Sequence, residues 1–82
     1  MVSLHEARLR RLLSIQALAR RADVAINTVH FAEMGRQVPR FASMRKIAAA
    51  LELEPTDIDE FRAAIEAAVD GKAPGGAAGR EG

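Results

Sequence analysis

The most constraining feature of this chain is the short link between two of its helical segments. The segment SIQALARRA, at residues 14–22, has the spacing of an amphipathic helix, and a second helical segment runs from about Ala25 to Met34. Only the residues ADVA join them. Because so short a link does not let the helices lie antiparallel, we predict that they cross steeply around a small buried wedge. The predicted wedge consists of Leu18, Ala22, Val24 and Val29, with the small Ala19 where the two helices approach each other.

Sparse glycines and prolines divide the rest of the chain into three further helices. The first, SLHEARLRRLL, has Ser3 as its N-cap and Glu6 three residues later, the spacing of a capping box. The fourth is FASMRKIAAAL, and the fifth, PTDIDEFRAAIEAAV, begins at Pro55. Gly35 is expected to end helix three in a left-handed conformation. No segment alternates with a period of two, so the sequence predicts an all-α bundle of five short helices that contains a helix-turn-helix.

The glycines also mark a boundary near the C-terminus. The chain has 82 residues, and five of its six glycines fall in the segment GKAPGGAAGREG, which has no aliphatic residue larger than alanine. We therefore predict one folded domain at residues 1–70, with an extended C-terminal helix, and a flexible tail at residues 71–82. A domain this small is marginally stable unless it is stapled or associates.

Composition argues against several classes of protein. The chain has no cysteine and no apolar run near the roughly 20 residues that span a bilayer, so we expect a cytoplasmic protein without membrane segments. It has two histidines and no nucleophile beside a base. The acids Asp57, Asp59 and Glu60 lie at the start of helix five, where the helix dipole accounts for them. We therefore expect no catalysis, no metal site and no cofactor.

The formal net charge of +1 conceals a strong asymmetry along the chain. Residues 1–46 contain nine basic and three acidic side chains, or +6, whereas residues 47–82 contain three basic and eight acidic ones, or −5. Such a distribution favours a surface that faces a polyanion. Solvated helix faces are the alternative explanation.

The segment LSIQALARRADVAINTVHFAEMGRQVPRFASMRKIAAALELEPTDI resembles the DNA-binding domain of the phage lambda repressor and Cro superfamily, the XRE-type regulators. The resemblance lies in the order and spacing of LS at the start of helix two, LARRA within it, TV in helix three, E-x-G-R at its end, Pro39, and RKIAAAL in helix four. With the helix before it, the similarity covers about residues 4–58. It implies a five-helix DNA-binding domain, which agrees with the independent count of helices.

The resemblance also implies roles for individual residues. Glu33 falls on the family's buried-edge glutamate, whose usual partner is an arginine of helix one, here Arg8.

The resemblance also implies contacts to DNA phosphates, which supply affinity and fix register but carry no sequence information. Helix capping and solvation are the alternative explanation for the side chains that the resemblance places near phosphates. The residues that the resemblance places near DNA phosphates are Arg36, Arg40, Ser14, Gln16 and Thr28.

Three positions depart from the family's pattern. Asp23 stands in place of the turn glycine and tolerates a left-handed conformation less freely than glycine does. Ala25 replaces the usual hydroxyl cap of helix three, a loss of about 1 kcal/mol of helix stability. Ile15 replaces a glutamine near the start of helix two that often contacts a phosphate.

The positions implied to read bases carry Ile26, Asn27, His30 and Phe31. Asn27 alone has the paired donor and acceptor that fit adenine in the major groove. Three interpretations of the apolar side chains stay open. Ile26 and Phe31 contact thymine methyl groups; or they form a protein interface; or helix three is rotated so that Ile26 covers the small Ala32 and only Phe31 is exposed.

The sequence therefore predicts a small transcriptional regulator that binds double-stranded DNA through helix three in the major groove. The alternative function is a helix-turn-helix adaptor that binds another protein, such as a polymerase subunit or a toxin partner, through the apolar outer face of helix three.

Helix five carries an apolar stripe that continues beyond the resemblance. We predict that the stripe pairs with a second copy of the chain, which would place two third helices on a palindromic operator. In the alternative, Ile65 and Val69 fold back on helix one, cover Leu9 and Leu12, and leave a monomer. The predicted dimer interface consists of Phe61, Ile65, Ala68 and Val69.

Overall fold

The computed structural model describes residues 1–71, so the predicted tail at residues 71–82 lies outside the described residues except for Gly71. Within residues 1–71 the regular elements are helical, and an isolated β-bridge is the only strand-like pairing. The predicted all-α bundle of five helices is confirmed. The elements in chain order are α1 (Leu4–Arg10), α2 (Ile15–Ala22), α3 (Ile26–Glu33), α4 (Phe41–Ala50), a 3₁₀ helix (Pro55–Asp57) and α5 (Asp59–Val69).

Serine side chains begin the first two helices as the sequence predicts. The Ser3 hydroxyl accepts a hydrogen bond from the Glu6 N–H at 3.0 Å, and the Ser14 hydroxyl does the same for the Ala17 N–H at 3.0 Å. The predicted capping box at Ser3 is only half formed. The Glu6 carboxylate accepts hydrogen bonds from Arg10 one turn later, where an opposite charge is close, rather than from the cap backbone.

The first four helices end in the same way. Each is followed by one residue with positive φ, namely Leu12 at 56°, Asp23 at 60°, Gly35 at 71° and Glu52 at 59°. The N–H after that residue then donates back to the last turn of the helix at 2.9 to 3.2 Å. These Schellman-type endings satisfy free carbonyls and reverse the chain within few residues. The left-handed conformations of Asp23 and Gly35 follow the prediction, whereas those of Leu12 and Glu52 were not predicted.

Helix α5 starts four residues later than predicted because the chain first pairs with the N-terminus. The Val2 N–H donates to the Asp57 carbonyl at 3.0 Å, and the Asp59 N–H donates to the Val2 carbonyl at 2.8 Å. Ile58 is extended as a result and forms the β-bridge with Val2. The Leu4 N–H then donates to the Glu60 carboxylate at 2.8 Å. The start of α1 is thus fastened to the start of α5.

Buried apolar side chains from all five helices form the core. The predicted wedge between α2 and α3 is present, with Leu18, Ala22 and Val29 buried and Val24 half-buried against the core. Ala19 is also buried, as expected for a small residue where the two helices approach each other closely. The buried hydrophobic residues are Leu4, Ala7, Leu18, Ala19, Ala22, Val29, Ala32, Met44, Ile47, Ala48, Leu51, Ile58 and Phe61.

The position of α5 corrects two expectations. Phe61 is completely buried in the core of the chain, so its place in the predicted dimer interface is wrong. The alternative in which Ile65 and Val69 cover helix one is also wrong. Leu9 and Leu12 stay exposed, the latter by 92%, because the stripe of α5 lies beside α4 instead.

Candidate nucleic-acid interface

Helix α3 is held against α2 by a tight turn. Asp23 takes the left-handed conformation that the resemblance assigns to a glycine, and Val24 follows as the half-buried residue of the turn. Ala25 occupies the N-cap of α3 and makes no side-chain hydrogen bond, as its lack of a hydroxyl predicts. The direction of α3 is therefore determined by the turn and by packing rather than by a cap.

One side of α3 faces the core and the opposite side faces outward. Val29 and Ala32 are buried. An α-helix turns about 100° per residue. The direction opposite the buried pair therefore passes through Asn27 and Met34, and both side chains are exposed. Met34 is 56% exposed.

The remaining predicted base-reading residues flank this outward line. Phe31 lies on one side of it and His30 on the other, both half-buried, with ring centroids 5.6 Å apart. Ile26 lies further round the helix and is 47% exposed. The interpretation in which Ile26 is buried over Ala32 is therefore wrong.

Sequence reasoning missed Met34 as a surface residue of α3. The predicted apolar outer face consists of Ile26 and Phe31, whereas the outward apolar side chains near the C-terminal end of α3 are Phe31 and Met34. The signal was available in the spacing. Positions 27, 31 and 34 follow the i, i+4, i+7 pattern of a single helix face.

A buried ion pair holds the C-terminal end of α3 against α1. Arg8 donates from Nε to one Glu33 oxygen at 2.5 Å and from Nη2 to the other at 3.0 Å. Its Nη1 donates to the Leu13 carbonyl at 2.9 Å. The side chains of Arg8 and Glu33 are only 9% and 7% exposed. The partner that the resemblance implied for Glu33 is confirmed.

His5 adds a third member to this pair. Its Nδ1 lies 3.1 Å from a Glu33 oxygen and 3.2 Å from Arg8 Nη2. Burial acts to raise the pKa of Glu33, but hydrogen bonds and charge from Arg8 and His5 outweigh it, so that the pKa lies below its usual value. The hydrogen bond to Glu33 correspondingly raises the pKa of Arg8. Sequence reasoning missed His5, which stands three residues before Arg8 and thus on the same face of α1.

These features agree with a match to a known family. The family model described as "Helix-turn-helix domain" matches residues 2–61, which is most of the chain. The chain is a helix-turn-helix domain of the XRE/Cro-like kind. No match was found among curated proteins or solved structures. Membership in this family indicates DNA binding.

The predicted phosphate-binding residues of the helix-turn-helix domain lie at three places. Ser14 and Gln16 are exposed at the start of α2, where the Ser14 hydroxyl also caps the helix. Arg36 and Arg40 are exposed in the loop between α3 and α4. Thr28 is half-buried in the first turn of α3. The first two of these places precede and follow α3 along the chain.

Among the described residues, the arginines from α2 to α4 have no acidic partners, whereas those in and next to α1 and α5 do. Within residues 1–71, Arg10, Arg11 and Arg62 each lie within 4 Å of a carboxylate. Five exposed arginines have no acidic partner in the same range. They are Arg20, Arg21, Arg36, Arg40 and Arg45.

Other kinds of site are not evident in the described part of the chain. Among residues 1–71 no group of three or more histidine or acidic side chains is arranged to hold a metal ion. No helix there has the length and apolar character needed to cross a membrane.

Proposed function

We propose that this domain is a small cytoplasmic transcriptional regulator that binds double-stranded DNA in a sequence-dependent way. Helix α3 enters the major groove and α2 lies across the backbone, as in other helix-turn-helix proteins. The observation that carries the proposal is the set of five exposed arginines that have no acidic partner within residues 1–71, all of which lie between the start of α2 and the end of α4.

The charge of these arginines is available to a polyanion because no carboxylate among the described residues neutralises it. Arg36 and Arg40 border the C-terminal end of α3, and Ser14 and Gln16 mark the start of α2. Contacts from both places would fix the register of α3 on the duplex without reading sequence. Sequence would then be read by the side chains of α3, with Asn27 supplying paired hydrogen bonds to adenine.

The salt dependence of binding tests this proposal. Binding to a random-sequence duplex should weaken steeply as salt rises, with a slope of about −0.9 per phosphate contact on logarithmic axes. The double variant Arg36→Gln/Arg40→Gln should bind more weakly and show a shallower slope. Arg10→Gln/Arg62→Gln is the matched control, because it removes the same charge from arginines that are paired with Glu6 and Glu66. No binding even at low salt would refute the proposal.

A protein-binding adaptor is the second candidate. The observation that favours it is the exposure of Met34, which is 56% exposed and shares a face of α3 with the half-buried Phe31, and of Val38 in the loop that follows, also 56% exposed. Exposed apolar groups of this kind also occur at protein interfaces. If the adaptor function is right, Phe31→Ala leaves DNA binding unchanged and removes a partner from a pull-down. If the regulator function is right, it changes the DNA sequence preference.

We further propose that the regulator is a homodimer whose copies meet at α4 and α5. Ile65, Ala68 and Val69 of α5 line an apolar groove of about 260 Å³ together with Phe41 and Met44 of α4. Val69 stands at its edge and is 79% exposed. Each copy thus has an apolar groove with the exposed Val69 beside it. Across a two-fold axis, Val69 of each copy can enter the groove of the other.

Charge at the rim of the groove supports the same partner. Arg45 lines the groove, and the exposed Asp70 directly follows Val69 in the chain. Neither has an oppositely charged partner within residues 1–71. In a two-fold pair, Arg45 of one copy can meet Asp70 of the other, which leaves the other four exposed arginines to face the DNA. The two α3 helices would then contact half-sites about 34 Å apart on a palindromic operator.

Sedimentation at micromolar concentration tests the dimer. The wild type should sediment as a dimer, and Val69→Asp should sediment as a monomer because it places a charge in the apolar contact. The control is Ala63→Asp, which adds the same charge to an exposed position on the opposite side of α5. A wild type of monomer mass, or a Val69→Asp variant that stays dimeric, would refute this interface.

A further inference from the structure

The outward face of α3 carries no formal charge from Arg, Lys, Asp or Glu. Asn27, Phe31 and Met34 form this face, with His30 and Ile26 at one edge. If α3 lies in the major groove, as proposed above, these are the side chains that meet the base edges. Their chemistry therefore limits which base pairs the domain can recognise.

Each base offers a different set of groups in the major groove. Guanine is read mainly by Arg or Lys donating to O6 and N7, and the cytosine amino group by a carboxylate. The face has none of these side chains. His30 cannot replace an arginine, because the two nitrogens of its ring point in different directions and cannot form parallel hydrogen bonds to guanine. No group on this face offers the paired donors with which arginine binds guanine, so hydrogen bonding to a G·C pair is limited to single contacts.

What the face does offer is one amide and several apolar groups. The Asn27 amide can donate and accept in the pattern that adenine requires. Phe31 and Met34 lie on the same side of the helix one turn further on, and Met34 is 56% exposed. The apolar group in the major groove is the methyl at C5 of a pyrimidine, which thymine carries and ordinary cytosine lacks.

We infer that Phe31 and Met34 recognise the C5-methyl group of pyrimidines, so that the domain prefers thymine-containing sites and accepts 5-methylcytosine in place of thymine. Met34 becomes a specificity-determining residue under this inference, a role that the sequence alone did not assign to it. The inference rests on the proposed function, since α3 must enter the major groove for these contacts to form.

Three versions of one random-sequence duplex pool test the inference. One pool contains the ordinary bases, one has deoxyuridine in place of thymidine, and one has 5-methylcytosine in place of cytosine. Pairing is the same in all three, and only the C5-methyl differs. In pairwise competition at fixed salt, the deoxyuridine pool should bind more weakly than the ordinary pool by about fourfold for each methyl contacted, and the 5-methylcytosine pool should bind more tightly.

Two variants separate methyl recognition from general affinity. Met34→Ala should reduce the preference of the ordinary pool over the deoxyuridine pool by about the same fourfold, with little effect on folding because the side chain is largely exposed. Arg36→Ala is the control, because loss of a phosphate contact weakens binding to all three pools by a common factor. Thermal unfolding of each variant checks that the fold is kept.

The outcomes distinguish this inference from the proposed function. Salt-dependent binding of equal strength to all three pools would overturn the inference and leave the proposed function standing. No binding to any pool would refute the proposed function and, with it, the inference. A penalty for deoxyuridine without any gain from 5-methylcytosine would show that the methyl group alone is not what is read.

Discussion

Glu33 and Met34 are neighbours in the sequence, yet their side chains lie in environments of opposite kinds. Glu33 is charged and 7% exposed, and it accepts hydrogen bonds from Arg8 with both carboxylate oxygens. Met34 is apolar and 56% exposed. The usual arrangement in a folded chain is the reverse, with charge outside and apolar groups inside.

The difference separates two tasks of α3. The buried pair links α3 to α1, and its bidentate geometry fixes the orientation of one helix relative to the other. The outward face makes no comparable link to the rest of the domain. Side chains there can change without loss of the fold, so recognition and stability depend on different residues of the same helix.

The largest expected effect comes from breaking the buried pair. Glu33→Ala leaves Arg8 buried without its counter-charge, which should lower the free energy of unfolding by about 3–5 kcal/mol. Met34→Ala, one residue later, should change it by no more than about 0.5 kcal/mol because the side chain is exposed. Urea denaturation of both variants measures the contrast. A loss below about 1 kcal/mol for Glu33→Ala would contradict the structural role of the pair.

Protonation should weaken the same pair more gently than mutation does. The pKa of Glu33 is lower in the folded chain than its usual value. The stabilising effect of the ionised Glu33 side chain is therefore fully present above the unfolded pKa of about 4.3 and is lost as the pH falls through the lower pKa of the folded chain. Melting temperatures between pH 7 and pH 3 should fall less steeply for Glu33→Gln than for the wild type. Gln37→Ala, which changes no ionisable group at an exposed position, is the control and should keep the wild-type dependence.

The part of the fold that the sequence predicts well is determined by local signals. Ser3 and Ser14 mark helix starts, and Gly35 marks a helix end. The ADVA link alone is enough to predict how α2 and α3 meet. In each case the residues that decide the structure are within a few positions of one another, so their chemistry can be read directly from the chain.

The start of α5 could not be predicted in the same way. A proline followed by acidic residues indicates a helix from Pro55, but Ile58 is extended because it pairs with Val2 at the other end of the chain. The left-handed Leu12 is a similar case, since nothing in a leucine indicates that conformation. For the candidate site, the resemblance supplied Arg8 and Glu33, while Met34 could have been placed on the outward face of α3 from its spacing to Asn27 and Phe31.

The next largest effect should appear in recognition without any change in stability. Asn27→Ala removes the paired hydrogen bonds proposed for adenine, which should cost about 1–3 kcal/mol at the preferred site and relax the preference at one base pair. The residue is exposed, so unfolding by urea should be unaffected. Binding to a panel of single-base variants of the selected site measures the effect. A uniform loss across the panel would show that Asn27 does not read a base.

The smallest expected effect is that of changing Arg36, which lies neither in the buried ion pair nor on the outward face of α3. Arg36 follows Gly35 in the loop after α3, is exposed, and has no acidic partner within residues 1–71. Arg36→Ala should leave stability and base preference unchanged, weaken binding to all sequences by one common factor, and reduce the salt slope by about one contact. Arg10→Ala removes an equal charge from the pair with Glu6 and should leave the slope as it is. If the two variants give the same slope, Arg36 does not contact a phosphate and contributes only to the general field of the domain.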